Sequence, residues 1–195
     1  MSDLDLDAYF SAELTAHLDV AERTRDTLAA PFARLVEACE SAIRGGNKLM
    51  FFGNGGSAAD AQHLATELTV RYAADRAPIA AIALTTDSSA VTAAGNDLGF
   101  EQVFARQVAA LGAAGDVAIG ISTSGRSANV LRALETAGEM GIRAAGLTGG
   151  DGGAMAGLAD PLVIVPSTVT ARIQEMHITL GQMLCGALEQ RLGLV

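Results

Sequence analysis

Asp60, His63 and Glu67 stand at i, i+3 and i+7, and at about 100° per residue in a helix they share one face. A histidine and a carboxylate four residues apart can ligate one metal ion or cooperate in moving a proton. The same spacing also fits a solvated polar face, so the neighbouring residues decide between the readings. Immediately upstream runs Gly53-Asn54-Gly55-Gly56-Ser57. Its glycines let the backbone approach a ligand, and Ser57 can cap the helix that follows. A second loop, Ser122-Thr123-Ser124-Gly125-Arg126-Ser127, brings four hydroxyls to a helix N-terminus. Hydroxyls and free amides in that setting cradle a phosphate dianion. Either loop alone reads equally well as a tight strand-to-helix turn with capping serines. Gly95-Asn96-Asp97, taken alone, reads as a turn with a helix start. Near the C-terminus, Gln174 and Gln182 lie about 80° apart on a helix and can point into one site. His177, on the other side of Gln174, reads as a surface or interface histidine.

Short apolar runs must position these residues. Runs at 48–52, 79–84, 116–122, 143–148 and 161–165 are each followed by small or polar residues and then by a helical pattern. Continuous apolar strands alternating with helices indicate a parallel sheet covered on both faces. The expected fold class is therefore α/β, a three-layer doubly wound sheet of five parallel strands. Ligands in such sheets sit beyond the carboxyl ends of the strands, which is where both loops fall. Residues 4–44 carry two helical patterns, with Leu14, Leu18 and Ala21 on one stripe and Leu28, Phe32, Leu35, Val36, Cys39 and Ile43 on another. Pro31 suits the first turn of the second helix, and Gly45-Gly46 ends it. Residues 171–192 form one long C-terminal helix with Ile173, Leu180, Leu184 and Leu188 on its apolar face.

Composition narrows the chemistry. The 195 residues are 50% hydrophobic and 18% charged, enough apolar material for one domain spanning 1–195 and too much for disorder. A net charge of -9 repels phosphate backbones and anionic lipid, so no nucleic-acid or membrane partner is expected. A small phosphorylated ligand remains compatible, because helix N-terminal amides need no net positive charge to hold it. Cys39 and Cys185 have no CxxC partner and read as buried thiols of a reducing compartment. No apolar run reaches the roughly 18 residues of a membrane span, and the N-terminus is acidic where a signal peptide is basic. A cytoplasmic location is expected. Neither a GK[ST] loop nor a GxGxxG fingerprint follows the first strand, so nucleotide hydrolysis and dinucleotide binding lack support.

GNGGSAADAQH, the STSG-x-S loop, AGND and the terminal RIQEMH together resemble the phosphoheptose isomerases of the sugar-isomerase (SIS) fold, from about residue 30 onward. The resemblance implies conversion of sedoheptulose 7-phosphate to D-glycero-D-manno-heptose 7-phosphate, the first step toward heptose precursors of bacterial envelope lipopolysaccharide. It implies a homotetramer with sites at subunit contacts, residues 1–45 serving in those contacts, and one Zn²⁺ per subunit. Carried over residue by residue, Asn54, Gly55, Gly56, Ser57, Asn96 and Asp97 contact substrate, and Ser122, Thr123, Ser124 and Ser127 hold its phosphate. His63, Glu67 and Gln174 are metal ligands, with Glu67 and Gln174 also reaching the sugar and Glu67 serving as base. Gln182 departs from the pattern. It stands where the family has a histidine that is both metal ligand and proton donor. A carboxamide oxygen can coordinate zinc but exchanges no proton near neutral pH. The competing expectation is a non-catalytic SIS module that senses a sugar phosphate or binds protein, as in a replication-initiator-associating branch.

Overall fold

The computed structural model describes residues 4–195. Asp5 opens helix α1 (Leu6–Thr27), its carboxylate accepting from the amides of Asp7 and Ala8 at 3.1 Å. That is the capping chemistry an N-terminal aspartate provides. Helix α2 (Ala29–Arg44) follows after a break at Leu28, with Pro31 in its first turn and Gly45 as its cap. Then come β1 (Leu49–Gly53), α3 (Gly56–Thr69), β2 (Ala81–Ala83), α4 (Ser88–Asp97), α5 (Ala105–Leu111) and β3 (Val117–Ser122). The chain continues through α6 (Ala128–Glu139), β4 (Arg143–Gly149), β5 (Leu162–Val165) and the long α7 (Thr170–Arg191).

All five strands are parallel, in the order β2-β1-β3-β4-β5. Alternate residues of each strand feed two cores. Leu49, Phe51, Ile119, Ile121 and Leu147 pack with α2, α3 and α7 on one face. Met50, Phe52 and Ala118 pack with α4, α5 and α6 on the other. β1 therefore leads into a helix on the first face and its neighbour β3 into a helix on the second. This opens a crevice beyond their carboxyl ends, at the point where the strand order reverses, the usual ligand position in open α/β sheets. Register Gly53↔Ile121 puts the glycine and hydroxyl loops side by side.

The expected strands are all present, within a residue or two for four of them. β2 shrinks to Ala81–Ala83 because it is the sheet edge and pairs only with β1. Cys39 and Cys185 are free and buried. Ala21 packs on the core, whereas Leu14 and Leu18 are exposed along α1 together with Leu6 and Phe10. Among the described residues no helix is long and apolar enough to cross a membrane.

Candidate active site

The hydroxyl loop leaves β3 at Ser122, which is buried, and enters α6 at Ser127, whose extended backbone makes it the N-cap residue. The two hydroxyl oxygens lie 3.0 Å apart, so neither is spent capping the helix. Ser124 is exposed at the tip. The Arg126 amide donates to its hydroxyl at 3.2 Å and the Arg126 guanidinium to its carbonyl at 3.0 Å. Arg126 is held in turn by Asp151 at 2.7 Å, and this guanidinium keeps the Asp151 carboxyl near 2, below the usual range. Gly125, at φ +63°, presses against the Gly152 carbonyl where any side chain would collide. The turn after β4 thus braces the loop from behind. Its open side presents Ser122, Thr123, Ser124 and Ser127 with the Ala128 and Asn129 amides that open α6, a suitable seat for a dianion.

The glycine loop enters α3 at Gly55, which is the cap residue. Ser57 lies one residue inside the helix, buried, with no capping bond. The capping role expected for it is therefore corrected: two glycines in succession let the chain turn two residues earlier than a cap at Ser57 requires. Gly56 has a separate reason to be glycine. A Cβ there would lie 2.6 Å from the Gln174 side-chain nitrogen, so the carboxamide of α7 rests directly on the loop backbone.

Helices α3 and α7 pack together and bring three side chains to one point. His63 Nε2 lies 3.0 Å from Glu67 Oε1 and 2.9 Å from the Gln182 carboxamide nitrogen. One nitrogen cannot donate to the carboxylate and accept from the amide at once. With the carboxamide turned over, its oxygen, the imidazole nitrogen and the carboxylate all direct lone pairs at one place. Such a set wants a single positive charge between its members. Imidazole, carboxylate and carboxamide oxygen all suit a divalent cation such as zinc. Among the described residues no three of His, Cys, Asp or Glu gather as a metal cluster, and a cation at this point would draw on the carboxamide as well. Asp60, on the same face of α3, is half-buried, and burial raises its carboxyl above the usual range against the opposing pull of His63.

Not every expected residue joins this group. Asn96 and Asp97 sit at the exposed C-terminal end of α4, not at a helix start, and bond to each other at 2.7 Å with no polar contact to either loop. His177 is corrected outright. It is fully buried, its Nε2 3.1 Å from the Thr148 carbonyl at the end of β4, and burial lowers its pKa to about 4. α7 is hemmed in by α1, α2, α3 and the sheet, so a position off the Leu stripe is still interior.

Three residues escaped the sequence reading. Buried Asn129, in the first turn of α6, exchanges two hydrogen bonds with Asn54. Arg76 and Glu189 form a buried ion pair at 2.8 Å, and Arg76 also donates to the carbonyls of Glu67 and Leu68 at 2.8 and 2.7 Å. Arg76 lies in an irregular stretch after α3 and carries no periodic signal. Asn129 was traceable only as a polar residue among the apolar positions of a helix start.

The description SIS domain fits residues 13–149. Over 181 residues the chain is 56% identical to the phosphoheptose isomerase of Paramagnetospirillum magneticum, covering 93% of this chain and 94% of that one. The solved phosphoheptose isomerase from Neisseria gonorrhoeae superposes with a TM-score of 0.90 at 43% identity, over 95% of this chain and 99% of that one. Its counterpart from Francisella tularensis gives 0.92 at 35% identity, over 96% of this chain and the whole of that one.

Proposed function

The chain belongs to the phosphoheptose isomerases of the SIS-domain family, and on that premise we propose that this enzyme converts sedoheptulose 7-phosphate to D-glycero-D-manno-heptose 7-phosphate. The observation that carries the reading is the meeting of Glu67, His63 and Gln182 beside a phosphate seat at the crevice between β1 and β3. The reaction moves a proton between C1 and C2 through an enediol(ate). It needs a base over the carbons, polar groups at the two oxygens, and an anchor for the distant phosphate.

Ser122, Thr123, Ser124 and Ser127 take the phosphate, whose binding energy holds the open sugar chain in place. Asn54, Gly55, Gly56 and Ser57 line the path from this anchor toward α3. Glu67 removes a proton from C1, and the electron pair shifts to the C1–C2 bond as the C2 carbonyl becomes an enediolate. The protonated carboxyl, which exchanges with solvent while the enediolate lives, delivers a proton to C2, and the C1 hydroxyl passes its proton through water to the C2 oxygen, leaving an aldehyde at C1 and a hydroxyl at C2. His63, Glu67, Gln174 and Gln182 would hold one Zn²⁺ per subunit, which would supply Lewis-acid charge beside the sugar oxygens. Gln182 can hold but cannot titrate, so its role is binding and orientation. Asn96 and Asp97 reach substrate in this reading only if brought to the crevice from a neighbouring subunit. The exposed stripe of Leu6, Phe10, Leu14 and Leu18 on α1 supports a homotetramer, and a fully active monomer in sedimentation velocity would contradict it. Purified protein incubated with sedoheptulose 7-phosphate, with and without added zinc, should give the aldose phosphate. No product under either condition would overturn the reading.

A further inference from the structure

The side-chain amides of Asn54 and Asn129 face each other. Asn54 Nδ2 donates to Asn129 Oδ1 at 2.8 Å, and Asn129 Nδ2 donates to Asn54 Oδ1 at 2.8 Å. Among the described residues no other side-chain hydrogen bonds join the glycine loop to the start of α6. Asn129 is 3% exposed, and a buried amide is costly unless paired. Here both directions are used, leaving each amide one donor and one acceptor for other work. The pair also sits at a particular place. The glycine loop turns into α3 on one face of the sheet and the hydroxyl loop into α6 on the other, so the two diverge just where a ligand must bridge them. Among the described residues this is the side-chain hydrogen-bond link between the two loops beyond the end of the β1–β3 ladder.

We infer that Asn129 is a positioning residue which, through Asn54, sets the distance between the phosphate seat and the carbons facing Glu67, and so selects the chain length of the sugar phosphate. The inference rests on the isomerase reading for what happens at Glu67, but the spacing itself concerns binding alone. A buried asparagine that merely satisfies the core would matter to stability and nothing else. A spacer matters differently, because a shift of about 1 Å at the reacting centre can cost on the order of 10²-fold in rate while the anchor still binds.

The test compares wild type with Asn129→Leu, close in volume but unable to bond, and with Asn129→Ser, which keeps a polar group but cannot span to Asn54. Calorimetry gives the affinities for inorganic phosphate, ribulose 5-phosphate and sedoheptulose 7-phosphate, and kinetics gives kcat and KM for the two sugars. The expected result is phosphate affinity within about twofold of wild type and kcat for the seven-carbon sugar lowered on the order of 10²-fold. The ratio of seven- to five-carbon affinity should fall at least about tenfold, toward indifference. An unchanged ratio in a folded variant overturns the inference, whatever its melting temperature. So does a loss of inorganic phosphate binding equal to the loss of sugar binding, since the seat itself would then have collapsed. The two readings fail separately. A wild type that turns over neither sugar, yet whose affinity ratio collapses in Asn129→Leu, overturns the isomerase reading and supports the spacer. An active wild type with the same ratio in both variants does the reverse.

Discussion

Arg76→Met is the perturbation that reports how α3 and α7 are held together behind the site. Both side chains of the Arg76–Glu189 pair are 1% exposed. Among the described residues the Glu189 carboxylate accepts otherwise only from the Tyr72 amide, at 3.1 Å. Removing Arg76 therefore leaves a carboxylate in the interior with one remaining partner, a change that costs about 3–5 kcal/mol. It also uncaps the last turn of α3, where Arg76 serves the Glu67 carbonyl at 2.8 Å and shares the Leu68 carbonyl with the Ile79 amide. The lost bond at Glu67 adds roughly 1 kcal/mol. At about 2–4 °C per kcal/mol for a chain of this size, thermal melting should fall by roughly 10–20 °C. The double variant Arg76→Met, Glu189→Met removes the orphan charge and should recover to within about 2 kcal/mol of wild type. Its turnover should stay depressed, because the Glu67 turn remains uncapped. Circular dichroism melts and steady-state kinetics on the three proteins decide the matter. A single variant that loses less than about 1 kcal/mol, or a double variant with both wild-type stability and wild-type kcat, would refute the reasoning.

Ser124→Ala with Ser127→Ala should raise KM on the order of 10²-fold or more, since each hydroxyl bond to a dianion is worth about 1.5–3 kcal/mol; an unchanged KM moves the phosphate elsewhere. His177, held neutral by burial with a pKa near 4, makes the fold lose stability as pH falls from the ordinary imidazole value of 6.5 toward 4, because only the unfolded chain binds that proton. Between pH 7 and pH 5 the loss is about 2 kcal/mol, and chemical denaturation of His177→Gln at the two pH values should show a correspondingly shallower fall; equal slopes remove His177 as the cause. Gln182→Leu should lower the zinc content of purified protein measured by atomic emission, and Gln182→His should raise it, because imidazole is the stronger ligand. Equal zinc in all three proteins excludes Gln182 from the metal site.

Much of this was legible because parallel strands buried on both faces read as unbroken apolar runs, and because glycines and hydroxyls mark the strand ends where ligands sit. His63 and Glu67 were found from their spacing on one helix face together with the glycine loop beside it, and Gln182 from helical geometry together with its odd place in a family motif. What stayed hidden depends on contacts between distant segments. Asn129 gains its meaning from Asn54, 75 residues away, and Glu189 from Arg76, 113 residues away. Neither pairing leaves a local trace. His177 misled because a one-faced helix was assumed where α7 is enclosed on several sides. Asn96 and Asp97 misled in another way: the cap at Asp87 starts α4 ten residues upstream of Asp97, so the pair closes a helix instead of opening one.

In the proposed reaction Glu67 shuttles a proton between C1 and C2. Turnover of sedoheptulose 7-phosphate in deuterated water follows that proton, read by NMR of substrate and product for wild type and Glu67→Gln. The glutamine keeps the size of the side chain at its place 3.0 Å from His63 but cannot accept the carbon-bound proton. Wild type should place solvent deuterium at C2 of the aldose, and Glu67→Gln should show neither deuterium incorporation nor turnover above about a thousandth of wild type, with KM little altered. Deuterium incorporation by Glu67→Gln at a wild-type rate, or product formation by Glu67→Gln near the wild-type rate, would contradict that role.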